Sequence, residues 1–242
     1  MFSIRITALA VIAAGLACVS ATQARADLVL DLSFNGGPFQ VFQVTNDAGP
    51  ISTSGVISVP NFSLNLTAQS NSPGTPSLAD LSSTVLSIAN TNTSGAASTI
   101  GFLLGAQGFM SPSGTVLLTQ TIEGNATAVT PGDAVTLQSF LDTNNGQNNT
   151  GPGVQSLPTL NPPLPPGGGA FAASNGPTPV AGATTYSMTE LFSVTLNPGD
   201  KVSFTTNTQA NPQQAGVPEP ASLALLAVGL AGLGMVVRLR RG

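Results

Sequence analysis

The side chains of this sequence that could carry acid–base or metal chemistry are almost all carboxylates. The sequence contains no histidine, and its single cysteine, Cys18, lies near the N-terminus. Serine–histidine–aspartate and cysteine–histidine nucleophiles are therefore excluded, as are histidine and thiolate metal sites in the body of the chain. What remains is a pair of carboxylates, to be drawn from nine acids of the body: Asp27, Asp31, Asp47, Asp80, Glu123, Asp133, Asp142, Glu190 and Asp200.

The spacing of these acids singles out no pair of the kind that hydrolyses a glycosidic bond. Exposed acids on strands and turns are the simpler interpretation, so we expect the protein not to be an enzyme. A hydrolase that uses two carboxylates stays as a distant alternative, and two acids that converge in a cleft would support it.

One of the acids begins a segment that is similar to a calcium-binding loop, in which oxygen ligands alternate. The segment runs Asp142-Thr143-Asn144-Asn145-Gly146, but Gln147 stands where the sixth-position glycine belongs and Gly153 where the bidentate glutamate belongs. We therefore expect a solvated, asparagine-rich loop without a metal. The sequence also has no phosphate-binding glycine loop, so no cofactor is predicted.

Basic residues are scarce and lie mostly at the two ends of the chain. Between residues 27 and 220 there is one base, Lys201, against ten acids, which gives that region a net charge of −9. Binding of nucleic acid needs clustered lysine and arginine to neutralise phosphates, and this region has no such cluster. Nucleic acid is therefore excluded as a partner.

The region between residues 27 and 209 shows the alternation of β-strands. Leu28, Leu30 and Leu32 alternate with less apolar positions, and a second strand begins around Phe39, Val41 and Phe42. Further strands are predicted at 62–67, 83–90, 98–104, 115–122, 134–141, 186–196 and 201–208. Because no amphipathic helix is evident, we predict an antiparallel β-sandwich of the Ig-like or jelly-roll type.

Turns and loops punctuate this predicted domain. Two similar turns, Thr130-Pro131-Gly132-Asp133 and Asn197-Pro198-Gly199-Asp200, each precede a strand, as hairpin corners or as a duplicated strand pair. Residues 144–183 are rich in proline, glycine and asparagine and are predicted to form one long, exposed, low-complexity loop. Residues 210–216 form a polar linker after the domain.

Residues 1–26 have the organisation of a signal peptide. Arg5 provides the positive start, residues 6–19 the apolar segment, and Ala24-Arg25-Ala26 the small-x-small site for signal peptidase, with Ala24 and Ala26 as the small residues. The competing interpretation is a lipoprotein leader that ends at Cys18, where Gly15 replaces the usual apolar residue. Cleavage after Ala26 is preferred.

The C-terminal region 217–242 has three parts in sequence. Pro218, Glu219 and Pro220 precede an apolar run at 221–237, and a basic end at 238–242 follows with Arg238, Arg240 and Arg241. As a helix, the apolar run would be about 25 Å long, near the lower limit for crossing a bilayer. The arginines would hold its end in the cytoplasm and leave the body outside.

This arrangement closely resembles the PEP-CTERM sorting signal, and the resemblance covers only the last tenth of the chain. It implies sorting by an exosortase, an inner-membrane cysteine protease of Gram-negative bacteria, which would cut near Pro218-Glu219-Pro220. The resemblance further implies an inner-membrane-anchored precursor and an association with extracellular polysaccharide. A plain C-terminal membrane anchor is the alternative for the same residues.

From these observations we expect an exported protein at the cell surface or in the extracellular matrix. A structural or adhesive role beside exopolysaccharide is the first hypothesis. The second is a module that binds glycan or ice through a threonine-rich sheet face, which requires threonines in register across neighbouring strands. The register of the strands decides between these possibilities, and the sequence alone does not provide it.

Overall fold

The computed structural model describes residues 27–45, 51–52 and 57–213. The predicted leader with Ala24 and Ala26 lies outside these residues, and so does the tail from 217 to 242 with its Pro-Glu-Pro motif, apolar run and arginines. Within the described ranges, no helix has the length and the apolar character that crossing a bilayer requires.

The described residues form thirteen β-strands, all paired antiparallel. They are β1 (Leu28–Phe34), β2 (Gln40–Thr45), β3 (Ile51–Ser52), β4 (Ile57–Val59), β5 (Phe62–Ser70), β6 (Ala79–Asn90), β7 (Ser98–Phe109), β8 (Val116–Thr127), β9 (Ala134–Asp142), β10 (Gln155–Ser156), β11 (Gly168–Val180), β12 (Tyr186–Leu196) and β13 (Lys201–Pro212).

These strands make two sheets. Sheet I has six strands in the order β10-β9-β12-β7-β1-β2, and sheet II has seven, in the order β11-β8-β13-β6-β5-β3 with β4 added to β5. From β6 to β13, every connection except β9 to β10 passes from one sheet to the other. This is the winding of a jelly roll, so the prediction of an all-β fold with two antiparallel sheets is confirmed.

The apolar core lies between the two sheets and follows from the alternation of the strands. In β5, for example, Phe62, Leu64 and Leu66 are buried while the residues between them are partly exposed. Phe192 of sheet I stacks on Phe102 of the same sheet at 4.4 Å between ring centroids and meets Phe204 of sheet II edge-on at 5.7 Å. These rings therefore hold the sheets against each other.

The predicted long loop at 144–183 is wrong in its second half. Residues 168–180 form β11, which pairs with β8 along the edge of sheet II and buries Phe171 and Val180. Prolines and glycines made this segment look incompatible with a sheet, but an edge strand tolerates them because one side of its backbone needs no partner. In addition, β13 extends to Pro212, so the first three residues of the predicted linker belong to the sheet.

Candidate functional site

Two acids converge at one end of the sandwich, where the two Pro-Gly-Asp turns contact each other. Gly132 and Gly199 have φ of 104° and 86°, values that suit glycine in such turns. The Asn197 amide and side chain donate to Asp133 Oδ1 at 2.7 and 2.9 Å, and the Thr130 hydroxyl donates to Asp200 Oδ2 at 2.6 Å. The turns are thus joined across the sheets, since one precedes β9 and the other β13.

Hydrogen-bond donors from the two turns bind the carboxylate oxygens of Asp133 and Asp200. Asp133 Oδ2 also accepts the Thr130 backbone N–H at 3.0 Å, so both of its oxygens are engaged. Burial raises the pKa of Asp133, the bonds from Asn197 and Thr130 oppose that rise, and the neighbouring Asp200 carboxyl adds to it. A cavity of about 290 Å³ beside Asp133 is walled largely by Val129, Leu164 and Pro166. The geometry therefore favours a structural pair over a catalytic one.

A third acid, Glu190, lies in the core between the sheets. It is fully buried, and its two carboxylate oxygens accept the hydroxyls of Thr206 at 2.6 Å and Thr208 at 2.8 Å. The hydroxyls of Ser83 and Ser139 lie 2.7 and 2.6 Å from those of Thr206 and Thr208. Because each threonine gives its one hydrogen to an ionised Glu190, the serines then donate to the threonines, and four strands are joined.

This acid–hydroxyl cluster, made of Glu190, Thr206, Thr208, Ser83 and Ser139, is buried. Burial raises the pKa of Glu190 to about 7; the two threonine bonds lower it, and the charge of Asp80 raises it further. Glu190, Asp142 and Asp200 are all buried, so the expectation that the acids lie exposed on strands and turns is wrong for these three.

The segment from Asp142 to Asn149 is a packed loop and not a solvated one. The Asp142 carboxylate accepts N–H groups from Asn144 at 2.9 Å, Gly146 at 3.1 Å and Asn149 at 2.7 Å. Burial would raise the pKa of Asp142, but these bonds outweigh it and the pKa lies below its usual value. The carboxylate serves its own loop, and within the described residues no cluster of three metal-ligating side chains occurs.

The same loop lies on the outer face of sheet I, here called face I. The Asn148 side chain donates to Asp31 Oδ2 at 2.7 Å, and the Gln147 side chain donates to the carbonyl of Gly105 at 2.6 Å. A side chain at Gly105 would collide with Asn148, so the glycine makes room for the loop. One end of face I is therefore covered by protein.

The other end of face I carries an open trench. Its floor is a single cross-strand row of small residues, Thr136 of β9, Ser193 of β12, Gly101 of β7 and Ser33 of β1. The next row is taller and contains Gln138, Leu191 and Leu103. Because the low row runs beside the taller one, the sheet itself forms a cavity of about 400 Å³.

The outer face of sheet II, here called face II, is flat and rich in hydroxyl and amide groups. Thr67, Thr84 and Thr205 lie in one row across β5, β6 and β13, and Glu123 of β8 continues that row. The adjoining row is Gln69, Ser82, Asn207, Thr121 and Ser174. A shallow cavity of about 540 Å³ lies over part of this face, between Thr84, Thr205 and Glu123.

The register required for a threonine-rich binding face is therefore present in a single row, which contains three threonines. The hydroxyls of Thr84 and Thr205 make no hydrogen bond within the described part of the chain and are available to a ligand. The repeated threonine rows that would order water over a larger area are absent from the described strands of face II, because amides and serines fill the adjoining row.

From the sequence, a threonine-rich sheet face was a hypothesis that named no strands, and the trench was not predicted. The trench residues are separated by up to 160 positions in the chain and meet only through strand pairing. Glu190 did leave a signal: it occupies the inward phase of β12, between Met188 and Phe192.

A comparison with protein families finds the PEP-CTERM protein-sorting motif at residues 216–241. The resemblance seen in the tail is therefore confirmed, and the chain is an exported protein that an exosortase processes at the membrane. The motif includes Pro218, Glu219 and Pro220, which lie outside the described residues together with the arginines that follow.

The body has weaker counterparts. No curated protein matches the chain significantly. Among solved structures, the chain is similar to the enzymatically active domain of tailspike protein 4 from bacteriophage CBA120, with 14% identity and a TM-score of 0.29 over 59% of this chain and 18% of that one. The chain thus spans less than a fifth of the tailspike chain, and a similarity of this size carries no argument about function.

Proposed function

We propose that this protein is a non-enzymatic component of the extracellular polysaccharide matrix that adheres to neutral glycan through face II. The leader directs export, the tail directs sorting and processing, and the body is then displayed at the cell surface of a Gram-negative bacterium or released into its matrix. The observation that carries the proposal is the pair of adjoining rows on face II, which present hydroxyl and amide groups across five strands.

The chemistry of face II suits an uncharged polysaccharide. Hydroxyl and amide side chains both donate and accept hydrogen bonds, as sugar hydroxyls do. A polyanion is disfavoured because Lys201 is the only basic residue of the described ranges and lies among eight acids. Ice binding is less well supported because, among the described strands of face II, only one row places threonines side by side.

A sedimentation assay tests the proposal. The full chain, held in a detergent without a sugar head group, is mixed with an insoluble neutral glucan and the bound fraction is measured. The double variant Thr84→Glu, Thr205→Glu places two charges at the centre of face II, and we expect it to bind about tenfold more weakly, or ~1.4 kcal/mol.

The matched control for that double variant is Thr150→Glu, which changes an exposed threonine of the loop after Asn149. It should sediment like the unaltered chain. If the unaltered chain does not sediment, or if both variants sediment equally with it, adhesion through face II is contradicted.

A further inference from the structure

The trench on face I ends at an aromatic ring. Phe39 is 41% exposed, yet a side chain at Gly101 would approach its ring to 3.3 Å, so the ring lies at the β1 end of the trench floor. Phe39 is not part of the apolar core between the sheets, and its ring lies at the wall of a polar cavity. Its position therefore needs an explanation other than core packing.

The chain between β1 and β2 fixes the ring in that place. The backbone of Asn35 donates to the carbonyl of Thr99 at 2.8 Å, and the Asn35 side chain accepts the Thr99 N–H at 2.9 Å. Asn35 and Gly36 adopt φ of 49° and 74°, the left-handed conformation that asparagine and glycine tolerate best. The turn is thus tied to β7 beside the trench, which limits the freedom of Phe39.

The rest of the lining is polar and uncharged. The hydroxyls of Thr136, Thr159 and Ser193 make no hydrogen bond within the described residues, so they can bind a ligand. Gln138 uses one side-chain N–H for the carbonyl of Leu157 at 3.2 Å, and its remaining donor and its acceptor are left. None of the described residues that line the cavity is ionisable.

This combination matches the two kinds of surface on a sugar ring. The C–H groups of a pyranose carry a small positive charge and stack on the negative face of an aromatic ring, whereas its hydroxyls bond to neutral hydroxyl and amide groups. Among the described residues, a charged sugar in the trench would find no compensating cation, because Lys201 of β13 belongs to sheet II.

We propose that the trench is a second carbohydrate site, which binds a short segment of a neutral polysaccharide with one sugar ring stacked on Phe39. From Gly101 of β7, where the Phe39 ring lies, to Thr136 of β9 the floor crosses two strand spacings, or about 10 Å, which exceeds a single sugar ring. The site deepens the proposed function, since it rests on adhesion to glycan, but it lies on the opposite sheet and is tested separately.

The test measures binding of soluble neutral oligosaccharides to the full chain by calorimetry, in the same sugar-free detergent. The probes are hexasaccharides of glucose, of mannose and of galactose, with a hexamer of galacturonic acid as the charged counterpart. At least one neutral hexasaccharide should bind the unaltered chain, and the charged hexamer should bind more weakly. Phe39→Ala should weaken binding by about tenfold or more, while Phe39→Tyr, which keeps the ring, should preserve it.

Phe42→Ala is the matched control, since Phe42 is 40% exposed on neighbouring β2 but does not line the trench. It should leave binding unchanged. The trench proposal is overturned if no neutral hexasaccharide binds, or if Phe39→Ala and Phe42→Ala have equal effects. It also fails if the Thr84→Glu, Thr205→Glu variant alone loses hexasaccharide binding, a result that would leave adhesion through face II intact. Loss of glucan sedimentation with retained hexasaccharide binding in that variant supports both sites.

Discussion

The two outer faces of the sandwich are built by the same alternation of residues but differ in relief. Face II has side chains of similar size in its two adjoining rows, and the cavity of about 540 Å³ beside them is shallow. Face I places a low row, from Thr136 to Ser33, beside a taller one and is covered at its other end by the loop that starts at Asp142. Relief on a sheet therefore depends on the size of the residues within each cross-strand row.

That difference has a functional meaning in our account. A flat face contacts an extended polymer at many weak points, whereas a trench with an aromatic end selects a short segment of defined chemistry. The faces share one core, since Phe192 and Glu190 join sheet I to residues of sheet II. If the two faces differ only in binding, the outer rows should contribute little to the free energy of unfolding and the shared core should contribute most.

The largest expected effect is a difference in the free energy of unfolding between two variants of β12, one in the core and one on the trench floor. Phe192→Ala removes a ring that contacts Phe102 and Phe204, and it should lower the free energy of unfolding by about 4 kcal/mol. Ser193→Ala, one residue further on the outer side, should change it by no more than about 0.5 kcal/mol. Denaturant unfolding of both variants provides the measurement. Equal losses would mean that the trench floor is part of the stabilising core.

The next effect is a dependence of stability on pH that comes from the acid–hydroxyl cluster. The pKa of Glu190 rises from 4.5 to about 7 on folding, so between these values the folded state holds a proton that the unfolded state has lost. The extra free energy of unfolding that comes from this bound proton is fully present below pH 4.5. It amounts to about 3 kcal/mol and is lost as the pH rises through 7.

Urea unfolding between pH 5 and 8 measures this slope, with Glu190→Gln as the comparison because it cannot ionise. Asp133, whose pKa is also raised, contributes in the same direction, so the difference between the two chains reports Glu190 alone. A Glu190→Gln chain that loses as much stability with rising pH as the unaltered one would contradict a proton-linked cluster.

The smallest effect concerns the covered end of face I. Asp142→Asn weakens three hydrogen bonds to the loop and should lower the free energy of unfolding at neutral pH by about 1 to 2 kcal/mol. The pKa of Asp142 is lowered, so this stabilisation is present above its ordinary value of 3.8 and is lost as the pH falls through the folded value, opposite in direction to Glu190.

Hydrogen exchange of residues 143–149 shows whether the loop is released. It should quicken in Asp142→Asn while exchange in β13 of the other sheet stays unchanged. Unaltered exchange in the loop would show that its contacts with Asp31 and Gly105 hold it without the carboxylate.

Much of the fold could be predicted because alternation is a local property. The strand predicted at 186–196 is β12, and the helix-free body follows from the same pattern. In contrast, β11 was missed because its prolines and glycines are typical of loops, and its place at a sheet edge is decided by distant β8.

The candidate sites could not be predicted because they depend on register. The shift between Asn65 and Leu66 in the pairing of β5 with β6, and the shift between Val202 and Phe204 in the pairing of β13 with β6, align Thr67, Thr84 and Thr205. No pattern in the sequence predicts such irregularities. A shift of one residue changes which residues of neighbouring strands lie side by side, and because side chains alternate between the two faces, it brings the opposite set of side chains into the row. The trench depends in the same way on strands that are far apart in the chain.

Methyl NMR of threonine tests the central claim, adhesion through face II, most directly. In the full chain with labelled threonine methyls, neighbouring residues of β13 provide an internal control, because Thr205 faces outward and Thr206 is buried in the core. Addition of a soluble neutral glucan should shift the methyl signals of Thr67, Thr84 and Thr205 and leave those of Thr206 and Thr208 in place. Signals of the three outward threonines that do not move at saturating glucan would contradict the account.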